Sequence, residues 1–250
     1  MTPEAVFSEL QTLGSAYFIV FLRIGSAAFL LPIIGESFVP LRVKLVGALA
    51  LTALTAPMAL PEIAAVQGNR ALLAIFFSEV GIGLFLGLFV RFFVFALNMV
   101  GSIAAQSLSL SQILGNLVEA QPAISQIVFF AALGLLTVLD FHVSLVAYLV
   151  SSYEIFAVAN PVTSEGVFAT MVPHLRMLAQ LALSLTAPFV AVSVIYNLAL
   201  GFISRAMPQF MVTFVGAPAI VACGLLLLML ALPGLVFLWA QSLLRAMGGF

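Results

Sequence analysis

Five ionisable side chains, Arg23, Glu79, Arg91, Asp140 and His142, fall inside runs of otherwise apolar residues. A charge at such depth is costly unless it is paired or hydrated. Two kinds of chemistry fit. One is a hydrated path for protons or ions; the other is a set of buried pairs or snorkelling side chains that position helices. One Asp and one His make a thin relay, and no cluster of carboxylates accompanies them. Asp140 and His142 stand two apart and so point to different sides of a helix, with Thr137 and Ser144 within helical reach of Asp140. If the flanking apolar stretches form a hairpin with its apex near Gly115 and Asn116, Arg91 and Asp140 lie at equal depth. That spacing predicts an ion pair between Arg91 and Asp140.

Catalytic signals are weaker. The chain has no HExxH, no GxSxG, no Gly-rich phosphate loop and no Cys/His ligand set. His174 stands alone beside Pro173, and the single cysteine, Cys223, can form neither an internal disulfide nor a CxxC site. The sequence therefore predicts no catalytic residue, no metal ligand and no cofactor. An intramembrane enzyme would have to be built on His142 or His174 without a nucleophile in evident reach. An independent solute or ion transporter would use Arg23, Arg91, Asp140 and His142. Such a protein more often shows paired broken helices in two matching halves, a pattern missing here.

The elements that must position these groups are apolar and long. Of 250 residues, 64% are hydrophobic and 7% charged, too few charges to cover a soluble globule. A formal net charge of −1 leaves no basic stripe for nucleic acid and no polybasic patch for a membrane surface. Glu4 and Glu9 precede the first apolar run with no basic residue among them, so that run lacks the charged start of a secretory signal and is expected to stay in the mature protein.

Six apolar stretches, at about 12–35, 41–60, 71–100, 123–158, 166–204 and 209–247, are each long enough to cross a bilayer as a helix. Several exceed that length, the fourth reaching roughly 50 Å as one helix. Pro57, Pro188, Pro218 and Pro233 lie inside these patterns, which predicts kinks or breaks there. Gly83 and Gly87 form a small-xxx-small spacing that lets backbones approach. Loop charge gives no orientation: Arg42, Lys44 and Arg205 would fall on one face, and Arg70, Arg176 and Arg245 on the other.

Residues 101–122, GSIAAQSLSLSQILGNLVEAQP, interrupt the two longest apolar runs with serines, glutamines and one asparagine but a single charge, Glu119. A water-exposed loop would carry more charge, and a lipid-exposed one would leave backbone groups unpaired. Leu108, Leu110, Ile113, Leu114 and Leu117 are five large aliphatics in ten positions, unlike a disordered linker. The segment is expected inside a protein-lined space.

Three stretches carry a family resemblance. The run FLRIGSAAFLLPIIGESFVPLRVKLVGALALT places Arg23 in the first helix ahead of Pro32 and a Pro40-x-Arg42 turn. Glu79, Gly81, Gly83 and Gly87 share the third stretch, and NLALGFISRAMPQFMVTFVGAPAIVACG carries Asn197, Gly201, Arg205, Pro208, Gln209 and Pro218. Together these resemble the FliR family of flagellar biosynthesis proteins, whose injectisome relatives form the T subunit of the type III secretion export apparatus.

The resemblance implies an all-α membrane-associated fold of about six long, kinked apolar helices in hairpins, with a partly polar plug-like segment between the third and fourth. It implies one export-gate subunit over 1–250, a FliP-like part at 1–158 that includes the plug segment 101–122, and a FliQ-like part at 159–250. The expected role is a core subunit of the flagellar export gate in the bacterial inner membrane, at the flagellar basal body. There it would line and help to seal the pore through which unfolded polypeptides pass; an injectisome export gate is the related alternative. The expected partners are FliP-like and FliQ-like subunits, an FlhB-like export protein, lipid and the polypeptides in transit. By position the family's plug loop corresponds to Gln106 through Pro122. Leu108 stands where glycine is usual there, and Leu110, Ile113 and Leu114 where phenylalanines often seal.

Overall fold

The computed structural model describes residues 3–64, 72–107, 123–158, 164–206 and 212–249, with the backbone alone at 3–12, 61–64, 72, 123, 164–170 and 212–218. Among these residues the chain is all-helical: α1 (Pro3–Ala28), α2 (Leu41–Ala64), α3 (Leu72–Ser107), α4 (Ala123–Val138), α5 (Phe141–Ile155), α6 (Ser164–Ala206) and α7 (Val212–Gly248). Four helical segments, Leu41–Leu60, Leu73–Ser107, Met171–Ala206 and Ala219–Gly248, are long and apolar enough to cross a membrane. A fifth span results if the broken pair α4 and α5 counts as one.

The overlong fourth stretch does break, but not at a proline. Asp140 adopts the left-handed conformation (φ 51°, ψ 40°), which ends α4. Asp tolerates that region better than most residues because its short polar side chain costs little there. The Asp140 carbonyl then opens α5 by accepting from the Val143 amide at 2.9 Å. Its carboxylate caps nothing, and the Thr137 hydroxyl donates to Gly134 instead. Helix continues through Pro57, Pro188, Pro218 and Pro233, so the breaks expected there do not form. A proline removes one amide donor, and apolar helices re-satisfy the freed carbonyl through local adjustments and neighbours.

The chain gathers into two compact units. The first comprises Met1–Phe92, Leu139–His174 and Leu243–Phe250; the second comprises Phe93–Val138 and Leu175–Ser242. They interleave along the sequence, so α3, α6 and α7 contribute to both.

In the first unit α1 and α3 run parallel in close contact. A Cβ on Gly83 would run into the Arg23 carbonyl and the Ser26 hydroxyl, and one on Gly87 would lie 2.6 Å from the Ala27 carbonyl oxygen. The Gly83-xxx-Gly87 spacing is thus the notch that α1 occupies. Val20, Ile24, Ala27, Ile82, Leu86 and Phe89, all buried, fill the surrounding core. The α1–α2 turn is knotted by local bonds, with the Gly35 amide donating to Leu31 O at 2.7 Å and Lys44 Nζ to Gly35 O at 3.1 Å. In the second unit α4 lies equally close to α3, where a Cβ on Gly101 would sit 2.5 Å from Ser125 Cα. The Ser125 hydroxyl lies 3.3 Å from both the carbonyl and the side-chain oxygen of Asn98. Fully buried Trp239 of α7 donates to Phe93 O at 2.8 Å.

Candidate functional site

Arg23 is completely buried, and every one of its donors is used. Its Nε and Nη2 grip Glu79 of α3 at 2.7 and 3.2 Å, the bidentate fork that guanidinium and carboxylate geometries favour. Nη1 donates to Ser152 O at 3.1 Å and to Ser152 Oγ at 3.4 Å, and Nη2 also donates to Phe156 O at 3.0 Å. The guanidinium plane lies over the Tyr153 ring, 3.9 Å from its centroid. One side chain therefore ties α1 to α3 and to the carbonyl-rich end of α5, where orphan helix carbonyls favour a cation. Tyr148 supports the same junction by donating its hydroxyl to Leu86 O at 3.2 Å, and Phe85 packs edge-on against Phe156 at 5.6 Å. The arrangement is a saturated clamp with no open coordination position, and its chemistry is that of a fastener.

Arg91 does not pair with Asp140. Its Nη1 donates at 2.5 Å to Glu36, which lies in the α1–α2 turn with a side chain 9% exposed. A hairpin of neighbouring apolar stretches would match Arg91 with an acid on the next stretch. The parallel run of α1 along α3 instead brings the turn after α1 to Arg91, while Asp140 is taken up by the helix break. Two ion pairs of opposite sense result: arginine on α1 with glutamate on α3, then glutamate after α1 with arginine on α3. Only one sliding register of α1 on α3 satisfies both, so the crossed charges fix the alignment that the two glycines permit.

The other sequence candidates are dispersed. His142 is exposed and lines an open apolar groove of about 620 Å³ with Leu54, Met58, Val143 and Glu154. His174 packs edge-on against Phe89, 4.8 Å between ring centroids. Among the described residues no group of three or more His, Cys, Asp or Glu is placed to hold a metal ion. Of the expected plug residues, Gln106 is exposed in the last turn of α3, whereas Leu108, Leu110, Ile113, Leu114 and Leu117 lie outside the described residues. Pro40 and Arg42 are exposed at the start of α2, with the Pro40 carbonyl accepting from Val43 at 2.9 Å. Asn197, Gly201 and Arg205 lie exposed on the final turns of α6. Pro208 and Gln209 fall outside the described residues, and Pro218 is described only as helical backbone in α7.

Sequence reasoning named Arg23 and Glu79 but missed Ser152, Tyr153, Phe156 and Glu36. Two of the clamp's acceptors are main-chain carbonyls, which leave no mark on residue type. Glu36 could have been found, since it is the only charge between Arg23 and Arg42.

Helices throughout the described residues, four or five of them long and apolar enough to cross a membrane, with Arg23 paired to Glu79 and Arg91 to Glu36, define a polytopic membrane protein. Comparison with known proteins gives the class a family. Residues 15–246 match the family described as bacterial export proteins, family 1, and the chain belongs to it. It is similar to the flagellar biosynthetic protein FliR of Caulobacter vibrioides, with 31% identity over 227 residues, covering 89% of this chain and 90% of that protein. FliR of Escherichia coli is 26% identical over 222 residues, covering 87% of this chain and 84% of that protein. FliR of Bacillus subtilis is 25% identical over 233 residues, covering 90% and 89% respectively. The chain is thus a FliR-family component of flagellar protein export.

Proposed function

We propose that this chain is a core subunit of the flagellar type III export gate in the bacterial inner membrane, lining and helping to seal the pore for unfolded substrates. The observation that carries this reading is exposure. The candidate spans on α2, α6 and α7 each bury only 28% of their apolar window inside the chain, against 61% for α3. A monomeric transporter would wrap its spans around its own substrate path. Helices left this bare favour a subunit whose packing is completed by other chains, consistent with FliP-like and FliQ-like partners and an FlhB-like protein nearby. On this reading 1–158 acts as the FliP-like part and 159–250 as the FliQ-like part. The full commitment of Arg23 to Glu79, Ser152 and Phe156 supports it further, since a translocated ion would find no free ligand there.

The seal itself is assigned to 106–122. Aliphatic side chains close a passage by dewetting, reversibly and without a fixed charge in the path of varied substrates. Serines and glutamines beside them hold the backbone to its surroundings. Deleting Leu108 to Leu117 in the assembled complex is expected to raise ion leak across the membrane while the complex still purifies. An unchanged leak rejects the sealing role.

A further inference from the structure

The last turns of α6 carry a polar line on an otherwise apolar helix. Ser193, Asn197, Gly201 and Arg205 recur every four residues and so follow one inclined ridge of the helix. Around them Ile195, Leu198, Phe202 and Ile203 are exposed, at 68%, 59%, 74% and 46%, whereas Val192, Tyr196 and Leu200 are half-buried, so the described residues cover this stretch on one side only in part. Exposed Leu or Phe suits lipid and protein alike, whereas the polar line does not.

Asn197 donates its amide to Ser193 O at 2.8 Å and Ser193 Oγ at 3.3 Å, both on its own helix. No bond to its side-chain carbonyl is found among the described residues, and an amide oxygen left so in an apolar medium carries a desolvation cost. Gly201 follows one turn later. Among the described residues nothing lies within 4 Å of the position a Cβ would take there, so none of them requires the glycine. That contrasts with Gly83, Gly87 and Gly101, where another helix fills the notch. Arg205, a turn further on, is exposed in the last turn of α6. The helix dipole and an interfacial position would account for Arg205 alone. They do not account for Asn197, about 12 Å back along the helix axis.

We propose that Ser193, Asn197, Gly201 and Arg205 form the docking face for one apolar transmembrane helix of a partner subunit. That helix carries a small residue opposite Gly201, a donor opposite Asn197 and a carboxylate opposite Arg205. Small residues and interhelical hydrogen bonds are what associate helices where lipid offers no hydrophobic drive. Arg205, for which no ion pair is found among the described residues, selects a partner of negative charge. The inference rests on the reading above that the chain works inside a hetero-oligomer, and it assigns one face and one partner chemistry within it.

The test places a photoreactive residue at Val194, which borders the line without belonging to it, in the full chain produced in its own membrane. A second copy of the experiment places it at Ile195 on the far side. The Val194 adduct is expected to map to an apolar segment of an integral membrane protein with Asp or Glu within one turn of the cross-linked position. Asn197→Leu or Arg205→Glu should each lower that adduct about tenfold, and reversing the partner's carboxylate to Arg should restore it in the Arg205→Glu chain. A Val194 adduct with lipid only, or a protein adduct indifferent to both substitutions, overturns the docking face. Copurification of partners with the unsubstituted chain is scored in the same membranes. Partners present with an indifferent adduct reject this face alone, whereas a chain that purifies without partners rejects the export-gate reading with it.

Discussion

The buried clamp around Arg23 and the exposed end of α6 make opposite use of polar groups in an apolar chain. At the clamp, the donors of one guanidinium meet a carboxylate fork, two main-chain carbonyls and a hydroxyl. On α6, the bonds found for Asn197 among the described residues lie within its own helix, and none of those residues stands within 4 Å of a Cβ on Gly201. A notch glycine on α3 is filled by α1, while none of the described residues fills the space beside the glycine on α6. If the proposed docking face holds, the contrast separates what the chain settles by itself from what a partner completes. Substitutions at the first should injure the chain, and those at the second only the assembly.

The largest effect is expected at the clamp. Arg23→Leu removes the guanidinium fork from buried Glu79 and takes one donor from each of the Ser152 and Phe156 carbonyls, of which Ser152 O keeps the Phe156 amide, a loss of about 3–5 kcal/mol. Thermal unfolding of the detergent-purified chain measures it. Arg23→Lys should recover only part, because an ammonium cannot serve the fork and the carbonyls at once. Next comes the notch: Gly83→Ala drives a methyl into the Arg23 carbonyl and is expected to cost about 1–3 kcal/mol by the same measurement. Gly201→Ala should leave the unfolding transition in place yet lower recovery of the complex.

A smaller effect is expected at the second ion pair. Arg91→Ala should cost about 1–2 kcal/mol, since the pair is only partly buried. Exchanging Arg91 and Glu36 restores stability, and exchanging Arg91 and Asp140 does not; the reverse pattern would undo the crossed-charge register. Smallest is Trp239→Phe, which keeps most of the buried ring and removes the bond to Phe93 O, for about 1 kcal/mol. It sharpens the comparison by showing that the second unit, too, has its own settled interior.

Much of this was legible in the sequence where residue type and depth coincide. Arg23 and Glu79 announced that they needed partners because charge is rare in this composition. The glycine pair on α3 announced a close approach, and the length of the fourth stretch required either a break or a helix projecting beyond the bilayer. What stayed hidden has physical causes. Helix-end carbonyls accept bonds whatever side chain they carry, so the α5 end of the clamp at Ser152 and Phe156 left no trace. Depth counting paired Arg91 with Asp140 because it assumed neighbours in sequence, while the parallel contact of α1 on α3 brought Glu36 instead. Prolines were weighed as breakers, yet the break came at Asp140, whose tolerance of a left-handed backbone is a local property that apolar periodicity does not reveal. The Asn197, Gly201 and Arg205 spacing was visible as a motif, but its exposure on α6 became apparent only in three dimensions.

On this reading the chain completes its own clamp, and a partner completes the end of α6. Comparing Arg23→Leu with Asn197→Leu, each in the purified chain and in the recovered complex, tests it most directly. The account predicts that Arg23→Leu lowers the unfolding temperature of the chain and the yield of complex together, while Asn197→Leu leaves the first unchanged and lowers the second. An Asn197→Leu chain that melts as early as the Arg23→Leu chain, or that assembles as well as the unsubstituted one, would contradict it.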